Sequence, residues 1–108
     1  EIYTGFGRTG RWFACEHWGV TPDLLVVGKA LTGGLPFAAC IGTDAVMGAW
    51  PKSTGEAIHT STFLGHPLGC AAALASIAVL REERLVERSA ELGARLLARL
   101  RAALAEHA

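Results

Sequence analysis

Asp23-Leu24-Leu25-Val26-Val27-Gly28-Lys29-Ala30-Leu31-Thr32-Gly33-Gly34 is the stretch on which the reading of this sequence turns. Residues 24–27 are apolar, partly β-branched, and bounded by Pro22 and Gly28. That pattern predicts a short buried strand of the kind found in parallel sheets. Lys29 follows at once and is the only charge between Asp23 and Asp44. In open α/β sheets, ligand crevices form at the carboxyl ends of strands, so a lysine there is placed in a site. Burial at such a place favours the neutral amine, the form that acts as a nucleophile. The alternative is a lysine whose head reaches past the strand end into water. Spacing alone leaves the two open.

Outward from this stretch, the Gly33-Gly34 turn leads to a second expected buried strand at residues 37–42. Thr43 suits the N-cap of a short helix over 44–50, with Pro51 just past its end. Residues 52–59 read as polar and irregular. Upstream, residues 4–10 are Gly-rich and must turn, and 13–18 suit a short helix stopped by Gly19 and Pro22. Downstream, Pro67 sits well at a first helical position. Residues 70–80 are Ala-rich and apolar nearly all round, which predicts a buried helix. A second helix is expected over 85–105, with Leu85, Leu92, Leu96, Leu100 and Leu104 close to one stripe. Arg84, Arg88, Glu91, Arg95 and Arg99 mark its solvated face.

The chain has 108 residues with 10 basic and 10 acidic side chains, a formal net charge of zero. Such a balance gives no electrostatic footprint for nucleic acid or an anionic membrane. At 51% hydrophobic and 19% charged, it is not a disordered composition. The most apolar window, residues 24–42, holds Lys29, Pro36 and four glycines, a poor transmembrane span. Cys15, Cys40 and Cys70 form no CxxC and are odd in number, so free thiols in a reducing cytoplasm are expected. The opening Glu1-Ile2-Tyr3-Thr4-Gly5 has the texture of an interior segment, and the chain is expected to be a piece of a longer protein.

Gly5-Phe6-Gly7-Arg8-Thr9-Gly10 matches the GxGxxG pattern literally. A dinucleotide fingerprint also needs a helix starting there and an acidic residue about 20 positions on, and neither is evident. A structural turn or a substrate-site loop carrying Gly5, Gly7 and Arg8 fits better. Thr60-Ser61-Thr62 and Gly65 precede the helix opened by Pro67. Hydroxyls and free N–H groups at such a junction suit a phosphate, while ordinary capping is the plainer use. His59 and His66 lack a third ligand nearby, so no metal site is expected. No GxSxG is present.

Taken together, Thr4-Gly5-Phe6-Gly7-Arg8-Thr9-Gly10, Gly28-Lys29-Ala30-Leu31 with Gly33-Gly34, and Ser61-Thr62-Phe63 with Gly65 and Pro67-Leu68 resemble the class III pyridoxal-phosphate aminotransferases in order and spacing. This is the ω-amino-acid, 4-aminobutyrate, ornithine and acetylornithine type. The likeness covers roughly residues 1–80. It implies an α/β fold, part of a fold type I transferase: a three-layer αβα large domain with a mostly parallel sheet, plus the first helices of a smaller C-terminal domain. Residues 1–66 would belong to the cofactor-binding large domain, and 67–108 to a helical connector and the start of the small one.

The resemblance implies pyridoxal 5'-phosphate as cofactor, held by Lys29 as a Schiff base. It implies that Thr62, with Ser61, binds the cofactor phosphate across a homodimer interface, and that Tyr3 lies near the cofactor ring oxygen. Family members often carry Gln at the position of Tyr3 and Asn at that of His66. The aspartate that pairs with the pyridine nitrogen would stand just ahead of Glu1. The implied activity moves an amino group from an amine or amino acid to a keto acid such as 2-oxoglutarate, in the cytoplasm. The chain by itself is expected to be inactive. Alternatives are a decarboxylase, racemase, aminomutase or diaminopelargonate-forming transaminase on the same scaffold. Outside the class, the alternative is a noncatalytic nucleotide-binding module using the GxGxxG loop.

Overall fold

A computed structural model describes residues 1–55 and 60–105 of the chain. The element order is a 3₁₀ turn at Ala14–Trp18, strand β1 at Leu24–Val27, a second 3₁₀ turn at Lys29–Leu31, strand β2 at Ala39–Gly42, then helices α1 (Asp44–Met47), α2 (Pro67–Glu82) and α3 (Leu85–Ala105).

The run at 24–27 forms the expected strand, but its pairing differs from the parallel geometry that the sequence suggested. β1 pairs antiparallel with β2, Leu24 opposite Gly42 and Val27 opposite Ala39. Residues 28–38 make the connection, and Lys29 is its second residue. Two strands cover each other along one edge only, so their faces stay largely open. Val27 is buried to 1% exposure, while Leu24, Val26 and Ile41 are exposed. The expectation of two buried strands is corrected accordingly.

Helix starts follow the local chemistry. The Thr43 hydroxyl accepts from the Val46 N–H at 3.4 Å, the capping bond expected for α1. α1 ends at Met47, earlier than Trp50, because Gly48 and Ala49 close turns onto Asp44 and Val46. Residues 13–18 form a tight 3₁₀ turn at Ala14–Trp18, which Gly19 ends in the left-handed conformation. α3 occupies the expected span.

α2 is not buried all round. Its docking face is narrow and made of small residues at helical spacing: Gly69, Ala73 and Ser76, with Ile77 and Leu80 beside them. A Cβ on Gly69 would meet the Phe37 ring at 2.5 Å, so glycine is what allows α2 this close. Leu68, Leu74 and Val79 on its other sides are exposed. The core is Phe6, Val27, Leu31 and Ala73, with Trp12, Phe13, Leu25 and Phe37 packed around it. Phe6 and Phe13 meet edge to face at 5.6 Å between ring centroids.

α3 seats its first turns on the glycine loop. A Cβ on Gly7 would lie 3.2 Å from Val86, and one on Gly10 would lie 2.8 Å from the Ala90 Cα. Both glycines also have positive φ, 90° and 81°, which side chains adopt at a cost. The GxGxxG pattern is therefore a turn built for close helix packing, and no helix springs from it. Leu92, Leu96, Leu100 and Leu104 remain exposed. The radius of gyration is 18.3 Å, well above the roughly 13 Å of a compact 100-residue domain. No helix among the described residues is long and apolar enough to cross a membrane.

Candidate functional site

The second 3₁₀ turn sets the geometry around Lys29. β1 ends in buried Val27, and the Leu31 N–H bonds back to the Gly28 carbonyl at 3.0 Å. Leu31 is itself in the core. One residue earlier, the Ala30 carbonyl accepts from the Ser76 hydroxyl of α2 at 3.4 Å. The turn is thus fixed from the strand, from the core and from the helix. Within it Lys29 has φ of 44°, left-handed for a residue with a side chain. Such a conformation persists only where the surroundings impose it, and outliers of this kind gather at functional sites.

Lys29 is exposed, the second of the two placements that its strand-end position left open. Its Nζ lies 4.2 Å from the centroid of the Tyr3 ring. It borders a concavity of about 410 Å³ together with Arg8, Ala30, Gly33, Gly34 and Leu35. Among the described residues, two cations and no carboxylate line this space, so it favours an anionic guest. The Thr32 hydroxyl donates to the Leu35 carbonyl at 2.6 Å and shapes the Gly33-Gly34 turn that forms one wall. No described residue lies within 4 Å of a Cβ built on either glycine, which leaves that wall open to a guest.

Tyr3 and Arg8 come from the loop at residues 1–10, and Glu1 ties that loop down. Its carboxylate accepts from the Thr4 hydroxyl and from the N–H groups of Ala14 at 3.1 Å and Cys15 at 3.0 Å. Desolvation pushes its pKa up, but the bonds from Thr4, Ala14 and Cys15 outweigh that and hold it well below the ordinary carboxylate value. The Phe6 N–H bonds the Trp12 carbonyl at 2.7 Å. Gly5 and Gly7 are buried in this framework, against Glu1 and Val86. Of the three loop residues singled out from the sequence, Arg8 is the one that borders the concavity.

Lys29, Tyr3 and Arg8 are therefore brought together. Ser61 and Thr62 are exposed and do not border the same space. The Ser61 hydroxyl accepts from the Phe63 N–H at 3.4 Å, an ordinary serine turn. Thr62 makes no side-chain hydrogen bond to another described residue, and its hydroxyl is open. His66 Nδ1 accepts from the Gly69 N–H at 3.2 Å, so this imidazole caps α2. His59 lies outside the described residues. All three cysteines are unpaired thiols.

Two supports were not foreseen from the sequence. Ser76 is the lone hydroxyl in an alanine-rich helix, a signal that was there to be followed. Glu1 carried none, because apart from the Thr4 hydroxyl its partners are backbone groups more than a dozen residues away.

The family model described as Aminotransferase class-III matches residues 1–108. The chain is 48% identical over 100 residues to an acetylornithine aminotransferase of Methanosarcina acetivorans, covering 93% of this chain and 24% of that protein. It is 46% identical over 108 residues to a putrescine aminotransferase of Pectobacterium atrosepticum, covering 99% of this chain and 23% of that one. The crystal structure of an acetylornithine aminotransferase from Elizabethkingia anophelis superposes with a TM-score of 0.88 at 37% identity, over 98% of this chain and 26% of that chain. The chain thus spans about a quarter of the length of the relatives it matches.

Proposed function

Because the chain belongs to the class III aminotransferases, we propose that it carries the cofactor lysine of a pyridoxal-phosphate transaminase, and that this lysine is Lys29. The observation that carries the reading is the position of Lys29 Nζ beside a cationic concavity, on a left-handed backbone held from three sides. The residues present fit pyridoxal phosphate. The amine is accessible, the Gly33-Gly34 wall is open, and the described lining has no carboxylate to repel an anion.

When bound, the cofactor supplies an electron-withdrawing ring that takes up the electrons of a broken C–H bond. The chain's own residues do the rest. Lys29 Nζ holds the cofactor and, once displaced by substrate, takes the proton from the substrate carbon and returns it on the cofactor side. Arg8 meets the carboxylate of the amino acid or keto acid with a fixed charge and a planar fork of donors. The Tyr3 hydroxyl serves the ring oxygen where relatives of this type often use an amide.

Thr62, its hydroxyl open among the described residues, and Ser61 serve the phosphate from just before the N-terminus of α2. Neither borders the Lys29 concavity, which agrees with a loop that acts in the partner subunit's site of a homodimer. The substrates of the whole protein are then an amine or amino acid and a keto acid such as 2-oxoglutarate. The unpaired thiols agree with a cytoplasmic setting.

The test is a half-reaction. The whole protein, loaded with cofactor and given an amino donor alone, is expected to convert the cofactor to pyridoxamine phosphate and release one carbonyl product per site, the aldehyde, ketone or keto acid of that donor. Release of carbon dioxide with the cofactor unchanged would place the chain in a decarboxylase and overturn the reading.

A further inference from the structure

We propose that Tyr3 is a positioning residue for Lys29, its ring face being the seat of the lysine ammonium whenever Nζ is not joined to the cofactor. The proposal rests on the reading of Lys29 as the cofactor-bearing lysine, and it extends that reading to the state in which the amine is free.

The geometry is direct. Nζ stands 4.2 Å from the ring centroid, inside the roughly 6 Å over which an aromatic face attracts a cation. Lys29 makes no ion pair or side-chain hydrogen bond with any other described residue. The partner is held from its own side. Glu1 accepts from Thr4, and its carbonyl accepts from the Gly5 N–H at 3.0 Å, so the backbone on both sides of Tyr3 is closed into a turn. The left-handed backbone of Lys29 fixes where the four-carbon stem sets out.

The chemistry of the reaction asks for such a seat. An amine released from the cofactor on a long flexible stem gains rotamer freedom and would spend much of its time in water. A carboxylate beside it would anchor it but would compete for the proton it has to pass. A ring face holds the ammonium, offers no lone pair to take its proton, and at an exposed site is weak enough to release it. The same tyrosine then has two partners in turn, the ammonium through its face and the cofactor ring oxygen through its hydroxyl.

Lys52, the other lysine of this chain, gives the test an internal reference. The protein without cofactor, labelled with ¹³C at the lysine ε-carbons, is expected to show ring-shifted ε-protons for Lys29 and ordinary ones for Lys52. The shift should persist in Tyr3→Phe and vanish in Tyr3→Leu. In trace acylation with acetic anhydride, the ratio of Lys29 to Lys52 modification should rise about two- to fivefold in Tyr3→Leu, the free-population change for a surface cation–π contact. It should stay near wild type in Tyr3→Phe. Tyr3 is 72% exposed, so neither replacement removes core packing, and a circular-dichroism spectrum and urea midpoint matching wild type establish that each variant is folded.

Unchanged shift and acylation in Tyr3→Leu overturn the proposal. Tyr3→Phe behaving like Tyr3→Leu also overturns it, by moving the role from the ring to the hydroxyl. Both arms are read without cofactor, so they can fail while Lys29 still proves to bear the cofactor, and they can succeed while it does not.

Discussion

Gly69 sits against Phe37 so closely that a methyl group on its Cα would fall 2.5 Å from the ring. That contact seats α2, and seven residues further along the same face Ser76 reaches the Ala30 carbonyl. The chain therefore holds the turn that presents Lys29 by a contact that starts at a glycine 40 residues away.

Two alanine substitutions should have opposite signs. Gly69→Ala forces the Phe37 ring aside, an overpacking cost of about 1–3 kcal/mol, against about 1 kcal/mol of helix propensity returned. A net loss of up to about 2 kcal/mol is expected. Gly93→Ala in α3 meets nothing within 4 Å and should stabilise by about 0.5–1 kcal/mol. Urea midpoints of the two variants against wild type check both. A stabilised Gly69→Ala would mean that α2 does not rest on Phe37.

Glu1 makes stability depend on pH in a defined sense. Its carboxyl is held well below the ordinary 4.5. A lowered value means the charged form is favoured in the folded state. Its contribution is present above the ordinary value and is lost as pH falls through the lowered one. Glu1→Ala leaves the Ala14 and Cys15 N–H groups without this acceptor and should cost about 0.5–2 kcal/mol at neutral pH, as for a lost cap. The variant should also flatten the acid limb of the stability curve. Identical acid limbs would separate Glu1 from the loop it is described as holding.

Arg8→Gln should raise KM for the carboxylate-bearing keto acid by about tenfold, the lower end for a bond to a charged group at an exposed site. kcat should fall less. A variant with normal KM would leave Arg8 as a bystander at the edge of the concavity.

Thr62→Ala should weaken cofactor retention by about 1.5–3 kcal/mol, or one to two decades in affinity, measured by dialysis against buffer. Lys29→Ala should remove chemistry and leave the phosphate contacts in place. Mixed dimers of the two variants then report whether sites are shared between subunits. Wild-type retention in Thr62→Ala would return Thr62 to the role of a loop residue ahead of a helix.

What was legible in the sequence was local. Thr43 capped its helix as its position promised, α3 ran over the expected residues, and the apolar run at 24–27 became a strand. Lys29 stood out by its isolation before any geometry was known. The rest depended on contacts distant in sequence. An apolar run does not state whether its neighbour runs parallel or antiparallel, and β1 took β2. An alanine-rich helix looks apolar on every side, so the narrow face of Gly69, Ala73 and Ser76 could not be picked out by hydrophobicity. Gly7 and Gly10 read as a nucleotide loop or a turn because nothing nearby in sequence announced Val86 and Ala90. The left-handed backbone of Lys29 sits in a turn held by the packing of Leu31 and the bond from Ser76, neither of which is written in the residues beside it.

The most direct test of the central claim is to load the whole protein with pyridoxal phosphate, reduce it with borohydride and map the modified peptide. Lys29 and Lys52 are the only lysines in this chain. The phosphopyridoxyl group is expected on Lys29, with Lys52 unmodified. Its appearance on Lys52, or on neither, would contradict the assignment.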